Sequence, residues 1–119
     1  MSLKIKNDLG TISINSGVVA RIVGLAAMEC YGVVGMASKS AKDGIVQLLR
    51  IENFTKGLKL TVDNNRLNIS LHIIAEYGTN ITAICESLIS AVKYRVEDTC
   101  GVEVGDINIF VEGLRINNV

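Results

Sequence analysis

The chain has 119 residues, 49% of them apolar, with 12 Lys and Arg against 12 Asp and Glu and therefore no formal net charge. That length suits one domain with one core, and the apolar content excludes a chain disordered throughout. Balanced charge argues against a nucleic-acid binder, whose affinity rests on neutralising phosphates, and against unaided attachment to an acidic membrane.

Pro and Trp are absent and Phe occurs twice, so the core must be built from Val, Ile, Leu and Ala. Residues 1–8 are polar and read as loose, without the apolar stretch of a signal peptide. From Gly10 the pattern TISI predicts a short strand with Ile12 and Ile14 on one face. Asn15-Ser16-Gly17 breaks it, and Ser16 is placed to cap a helix by accepting a backbone amide proton. The following VVARIVGLAAMECYG reads as helix. Val18, Val19, Ile22, Val23, Ala26 and Ala27 form a wide apolar stripe, which Leu25 and Met28 extend almost all round. Arg21 and Glu29 are its only charges. Such a helix either lies central to a core or offers a face to a partner. Its longest apolar run, Ile22 to Met28, is far short of a membrane span. Gly32 is placed to end it.

Val33, Val34 and Met36 form an apolar stretch of undecided type. A turn-rich link over 38–44, one or two helical turns over 45–51 and a loop over 53–57 follow. Leu58, Leu60 and Val62 alternate with polar residues as in a strand with one buried face. Asp63-Asn64-Asn65-Arg66 fits a hairpin turn, because Asn and Asp tolerate left-handed backbone angles. Leu67, Ile69, Leu71 and Ile73 return on the buried face, with Asn68, Ser70, His72 and Ile74 on the other. The chain turns at Tyr77-Gly78, and Thr79 or Asn80 can cap a second long helix. Its apolar side is Ile81, Ile84, Cys85, Leu88, Val92 and Val96. Lys93 and Glu97 can pair across one turn, and Gly101 stops the helix. Ile107, Ile109 and Val111 alternate with Asn108, Phe110 and Glu112 in a last strand.

This order predicts a two-layer α+β domain spanning 1–119, loose over 1–8, with 114–119 either continuing the last strand or loose. Two long helices pack side by side on one face of a three- or four-stranded sheet. The second sheet face carries His72, Ile74 and Phe110 among polar residues, making it a candidate partner or self-association surface. The alternative is a scatter of ordinary exposed apolar side chains.

Chemistry is sparse. His72 is the only histidine, and a poised base needs a neighbouring carboxylate. The hairpin leaves Asp63 and Asn65 at a distance from it, so a plain surface or cross-strand histidine is expected. Glu76, at a strand end and near a helix start, reads as a cap or charge anchor, with binding or catalysis as the alternative. Glu29 opposes the dipole at its helix C-terminus, which points to a salt bridge with Arg21 or to a partner. Cys30, Cys85 and Cys100 have spacings of 55 and 15, which match no paired metal-ligand pattern. They read as free thiols in a reducing compartment, with one disulfide as the alternative. The sequons at Asn53, Asn68 and Asn80 read as chance. Gly32-Val33-Val34-Gly35 superficially matches the GXXG loop of single-strand-binding domains, but its variable pair is apolar and Lys39 is the nearest cation. Phosphate-loop, dinucleotide and nucleophile-elbow motifs are absent. No catalytic, cofactor or metal residue is expected.

The segments GTISINSGVVARIVGLAAMECYGVVGMA (10–37), GLKLTVD, LNISLHIIAEYG with the following TNI, and VEDTCGVEVGDINIFVEG (96–113) together resemble the bacterial alkaline-shock and general-stress envelope protein family. The resemblance covers roughly residues 9–113 and rests on the order of the blocks. It implies a small cytoplasmic protein without enzyme activity, linked to envelope homeostasis and stress. The best-known kind self-associates and is held near the membrane by a separate anchoring protein. Shorter relatives, which this chain resembles, are often encoded beside a fatty-acid kinase subunit. Tyr31 departs from the small residue or proline frequent before the Gly-Val pair. The recurrent glycines match Gly32, Gly78, Gly101 and Gly113 and are structural. The expected function is a non-enzymatic scaffold or adaptor. Its partner is a second copy or another protein, one anchored in the membrane included. Neither nucleic acid nor direct membrane insertion is expected. The alternatives are an accessory protein of a lipid-related kinase and a single-stranded RNA-binding module.

Overall fold

The computed structural model describes residues 2–38 and 48–116. In chain order come strands β1 (Ser2–Asn7) and β2 (Gly10–Asn15), helix α1 (Ser16–Glu29), strand β3 (Val33–Met36), a 3₁₀ helix (Ile51–Gly57), strands β4 (Leu58–Asp63) and β5 (Arg66–Glu76), helix α2 (Ile81–Cys100) and strand β6 (Glu103–Arg115). β5 is the centre of the main sheet. On one side it runs parallel to β6 from Arg66 to Glu76. On the other it pairs antiparallel with β4 over Arg66–Leu71 and then with β3 over Ile73–Ala75. β1 and β2 form a separate two-stranded ribbon.

The alternation in β5 drives the layering. Leu67, Ile69, Leu71 and Ile73 are buried on the face that α1 and α2 cover. α2 answers with Ile84, Leu88, Val92 and Val96, spaced four apart and so on one helical face. α1 contributes Val19, Val23, Ala26 and Ala27. Phe54 of the 3₁₀ helix is wedged under α1, where a Cβ on Gly24 would lie 2.1 Å from its ring. Only glycine permits that approach. The result is the expected α+β arrangement, two contacting helices on a four-stranded mixed sheet.

Local signals act largely as read. Asn64 and Asn65 take φ of 52° and 63°, the paired left-handed geometry of a tight hairpin turn. Asn80 caps α2 by accepting from Ala83 N at 3.0 Å. Gly101, at φ 70°, ends α2 and donates its N–H to Glu97 O.

Elsewhere the structure differs from expectation. Residues 2–7, read as loose, form β1, because Leu3 and Ile5 alternate with polar residues and pair with Ile14 and Ile12. The Asn7 side chain closes the turn by accepting from Leu9 N and Gly10 N. The cap of α1 is Asn15, not Ser16, with its side chain accepting from Gly17 N at 2.7 Å. α1 ends at Glu29, and Gly32 belongs to the turn beyond it at φ 84°. Residues 33–36 are strand, and the 3₁₀ helix occupies the region read as a loop at 53–57. Leu48 bridges to Ala37 rather than starting a helix. The rest of the 38–44 link and the 45–51 turns lie largely outside the described residues. Of the two alternatives for the tail, Leu114 and Arg115 take the first and continue β6, and Arg115 O accepts from Tyr77 N at 2.9 Å.

Two substitutions test this core by urea unfolding. Phe54→Ala should cost about 3–5 kcal/mol. Gly24→Ala should cost about 1–3 kcal/mol through overpacking. A change within experimental error for both would mean that the wedge between α1 and the 3₁₀ helix does not exist.

Candidate interaction surfaces

The outer sheet face is built by strand register. Lys59, Ser70 and Asn108 form one row across β4, β5 and β6, and Thr61 pairs with Asn68 in the next. These residues and Asp106 line a shallow depression of about 250 Å³. A bulge in β6 between the partners of Leu67 and Ile69 admits one extra residue. The Asn68 side chain then accepts from Asp106 N at 2.8 Å. A Cβ at Gly105 would lie 2.4 Å from the Asn68 oxygen, so that position is held by glycine.

Along the same face, His72 lies opposite Phe110. Their rings stack at 4.8 Å between centroids and 14° between planes. A second bulge follows Val111 and makes Glu112 the extra residue. Its Oε1 sits 2.9 Å from His72 Nδ1. The His72 side chain is 13% exposed, whereas Phe110 remains 46% exposed. The hairpin's own sequence places no carboxylate beside His72. Glu112 comes from a strand 40 positions away, and only the parallel register of β5 with β6 would have disclosed it.

Ile74 does not join this surface. It is 3% exposed, a correction to its expected place on a partner face. Its strand neighbours Gly35 and Gly113 have no side chains, and the Leu48 side chain packs over Gly35.

The charged candidates are dispersed. Arg21 is exposed on α1. Glu29 pairs with Arg95 of α2 rather than with Arg21, because eight residues of helix separate Arg21 from Glu29 by about 12 Å. Glu97 likewise accepts from Val104 N at 3.0 Å. Glu76 acts through its backbone: its N–H donates to Gly32 O at 2.8 Å and its carbonyl accepts from Thr79 Oγ1 at 2.6 Å. The six sequence-predicted residues therefore occupy the sheet face, the helical layer and the β5 end, and do not converge.

Two apolar surfaces lie away from the sheet face, the first of them expected from the α1 stripe. Val18, Leu25 and Met28 remain exposed on α1, on the same side as Arg21. At the junction of the α1 end with the α2 start lies a groove of about 380 Å³, lined by Tyr31, Gly78, Asn80, Ala83, Ile84 and their neighbours. The near-complete apolar stripe of α1 signalled the first. The second depends on tertiary packing.

Cys30, Cys85 and Cys100 are free and partly buried. Burial pushes all three thiols above the usual 9.0, and the Glu29 charge adds to this at Cys30 while Arg95 opposes it. Among the described residues, no group of three His, Cys, Asp or Glu is placed to hold a metal. No helix of these residues is long and apolar enough to cross a membrane. Because the thiolate reacts and its pKa is raised in the fold, native alkylation by iodoacetamide at pH 7–9 should be slower than in urea at every pH. Equal rates in the two states would contradict the burial of the thiols.

The model of the alkaline shock protein 23 family, described by its cell envelope-related function, matches residues 4–116. YloU of Bacillus subtilis is 40% identical over 119 residues, covering 99% of each chain. The Spy1614 protein of Streptococcus pyogenes is 33% identical over 117 residues, covering 98% of this chain and 97% of its own. A Streptococcus pyogenes protein named stress response regulator gls24 homolog is 24% identical over 106 residues, covering 89% of this chain and 59% of its own. No solved structure matches the chain. With the family model spanning nearly the whole fold, the chain belongs to the alkaline shock protein 23 family, whose function is cell envelope-related.

Proposed function

We propose that the chain is a non-enzymatic scaffold or adaptor in envelope homeostasis or stress response, acting as one domain through protein contacts. The observation that carries this reading is the open sheet face. Phe110 is held flat by His72, which is itself fixed by Glu112, so an aromatic surface is presented in one orientation. A rigid, half-exposed aromatic is the kind of residue that dominates protein interfaces. The exposed α1 stripe around Arg21 offers a second contact on the opposite layer. Glu76 supplies a charge at the β5 end.

The family description supports the envelope setting, and the name of the gls24 homolog supports the stress setting. The partner in this reading is a second copy or another protein, including one anchored in the membrane. The chain itself is cytoplasmic and reaches the envelope only through that partner. Nucleic acid is not a partner, since the face carries Lys59 and Asp106 together and the chain has no net charge.

A native pull-down from the host, with wild type beside a His72→Ala/Phe110→Ala variant, tests the proposal. The wild type should retain a stoichiometric protein, whether itself or another. The variant should lose at least about tenfold in retention, as for loss of an aromatic hot spot, while its thermal unfolding stays cooperative. A wild-type chain that retains nothing and stays monomeric would remove the scaffold reading.

A further inference from the structure

β6 is paired along one edge. Among the described residues no strand pairs with the other. The direction of its backbone groups follows from β5. His72 O accepts from Ala37 N and Glu76 N donates to Gly32 O, so even-numbered residues of β5 turn their backbone groups to β3 and β4. Odd-numbered ones turn theirs to β6. Leu71 pairs with Ile109, and in a parallel ladder it bonds to the residues on either side of that partner, Asn108 and Phe110. Ile107, Ile109 and Val111 therefore aim N–H and C=O away from the sheet. At the start of β6 the outward N–H of Val104 is accepted by Glu97 at 3.0 Å. Among the described residues, those of 107–111 meet no such partner.

The two bulges of β6 stand on either side of this stretch, leaving five regular residues that span about 17 Å. Exposed edges are ordinarily guarded by Lys, by Pro or by being very short. Residues 107–111, INIFV, hold no Pro and no charge, and β6 runs for 13 residues. On the inner face Ile107, Ile109 and Val111 pack against the core yet stay half-buried. A strand laid alongside would satisfy the backbone groups and cover these side chains together.

Charge narrows the occupant. On the outer face the stretch is closed by Asp106 at one end and Glu112 at the other. Glu112 holds His72, and Asp106 has no ion pair among the described residues. Lys59 stands two strands away on β4, Arg66 is taken by Glu103, and Arg115 lies past the second bulge. Antiparallel pairing with a second copy, centred on Ile109, would set Asp106 across from Glu112 at both ends, and like charges facing across strands repel. An incoming strand with a basic residue at each end meets an acid at each end instead.

We propose that β6 takes up an extended segment of another protein as an added strand over 107–111. Its apolar side chains lie beside Ile107, Ile109 and Val111, and its basic ends meet Asp106 and Glu112. This rests on the scaffold reading and states how the partner is held. Phe110 lies within the same stretch, so the partner's outward side chains adjoin the aromatic face.

Amide exchange read by NMR on the full chain tests this, with the capped peptide Lys-Val-Thr-Val-Thr-Val-Lys as probe, whose pattern is the same in either direction. In the free chain the amides of Ile107, Ile109 and Val111 should exchange at least about tenfold faster than those of Asn108 and Phe110. Titrated to saturation, the peptide should slow them at least about tenfold. The same peptide with Pro for its central Val lacks a donor facing β6 and should leave them fast. Asp106→Lys keeps the backbone bond to Asn68 and should weaken binding severalfold, whereas a peptide with Glu at both ends should bind that variant more tightly than it binds wild type. Outward amides already protected in the free chain, no slowing up to millimolar peptide, equal binding of the Pro peptide, or a charge preference that Asp106→Lys does not reverse each overturn the added strand. All four leave the scaffold reading standing, and the pull-down on the His72 and Phe110 face judges that reading separately.

Discussion

Everything in this fold depends on β5 being paired along both edges while the helices cover only one of its faces. Parallel β6 takes one edge, and β4 and β3 share the other end to end. The backbone polar groups of the most apolar strand are thereby satisfied by neighbours. Its apolar face can then be closed by two helices whose stripes are built from small and branched residues. Phe54 is the one large ring in that core. It needs the missing side chain of Gly24 to fit.

The same arrangement leaves the second sheet face in contact with solvent, and its chemistry follows from two irregularities in β6. Each bulge inserts one residue, and each insertion is used. Near Asn68 it gives a side-chain oxygen a backbone amide to accept from. Near His72 it brings Glu112 within hydrogen-bond distance of the imidazole. The ring pair of His72 and Phe110 is therefore fixed from below by strand register and from the side by a carboxylate. That suits a surface meant to be recognised in one shape. On the helical side, Glu29 and Arg95 tie α1 to α2 at an exposed site, where an ion pair contributes little stability.

Much of the fold was legible because its signals are local. The alternation of β4 and β5, the four-residue spacing in α2, the Asn64-Asn65 turn and the stop at Gly101 all depend on near neighbours. Residues 2–7 escaped because six residues with two apolar positions carry little weight until β2 pairs with them. The burial of Ile74 and the carboxylate beside His72 were not legible for a different reason. Alternation put both on the second face, but the burial of Ile74 goes with Gly35 and Gly113 beside it and Leu48 over Gly35, and the carboxylate beside the histidine comes from β6. Neither is near in sequence. Glu29 was correctly singled out as a charge in need of a partner, and the partner came from the other helix. The groove at the α2 start is formed by two chain turns and left no pattern in either.

The parallel pairing of β5 with β6 also bears on how the chain is made. β6 follows every other described strand in chain order, yet it supplies a whole edge of the central one. Until its residues leave the ribosome and α2 has carried them across, the long apolar strand β5 has an open side on which another chain could add. The final dozen residues of the sheet thus govern whether a nascent molecule is a finished fold or a template for aggregation. Emergence of β6 becomes the step at which the central strand loses its free edge.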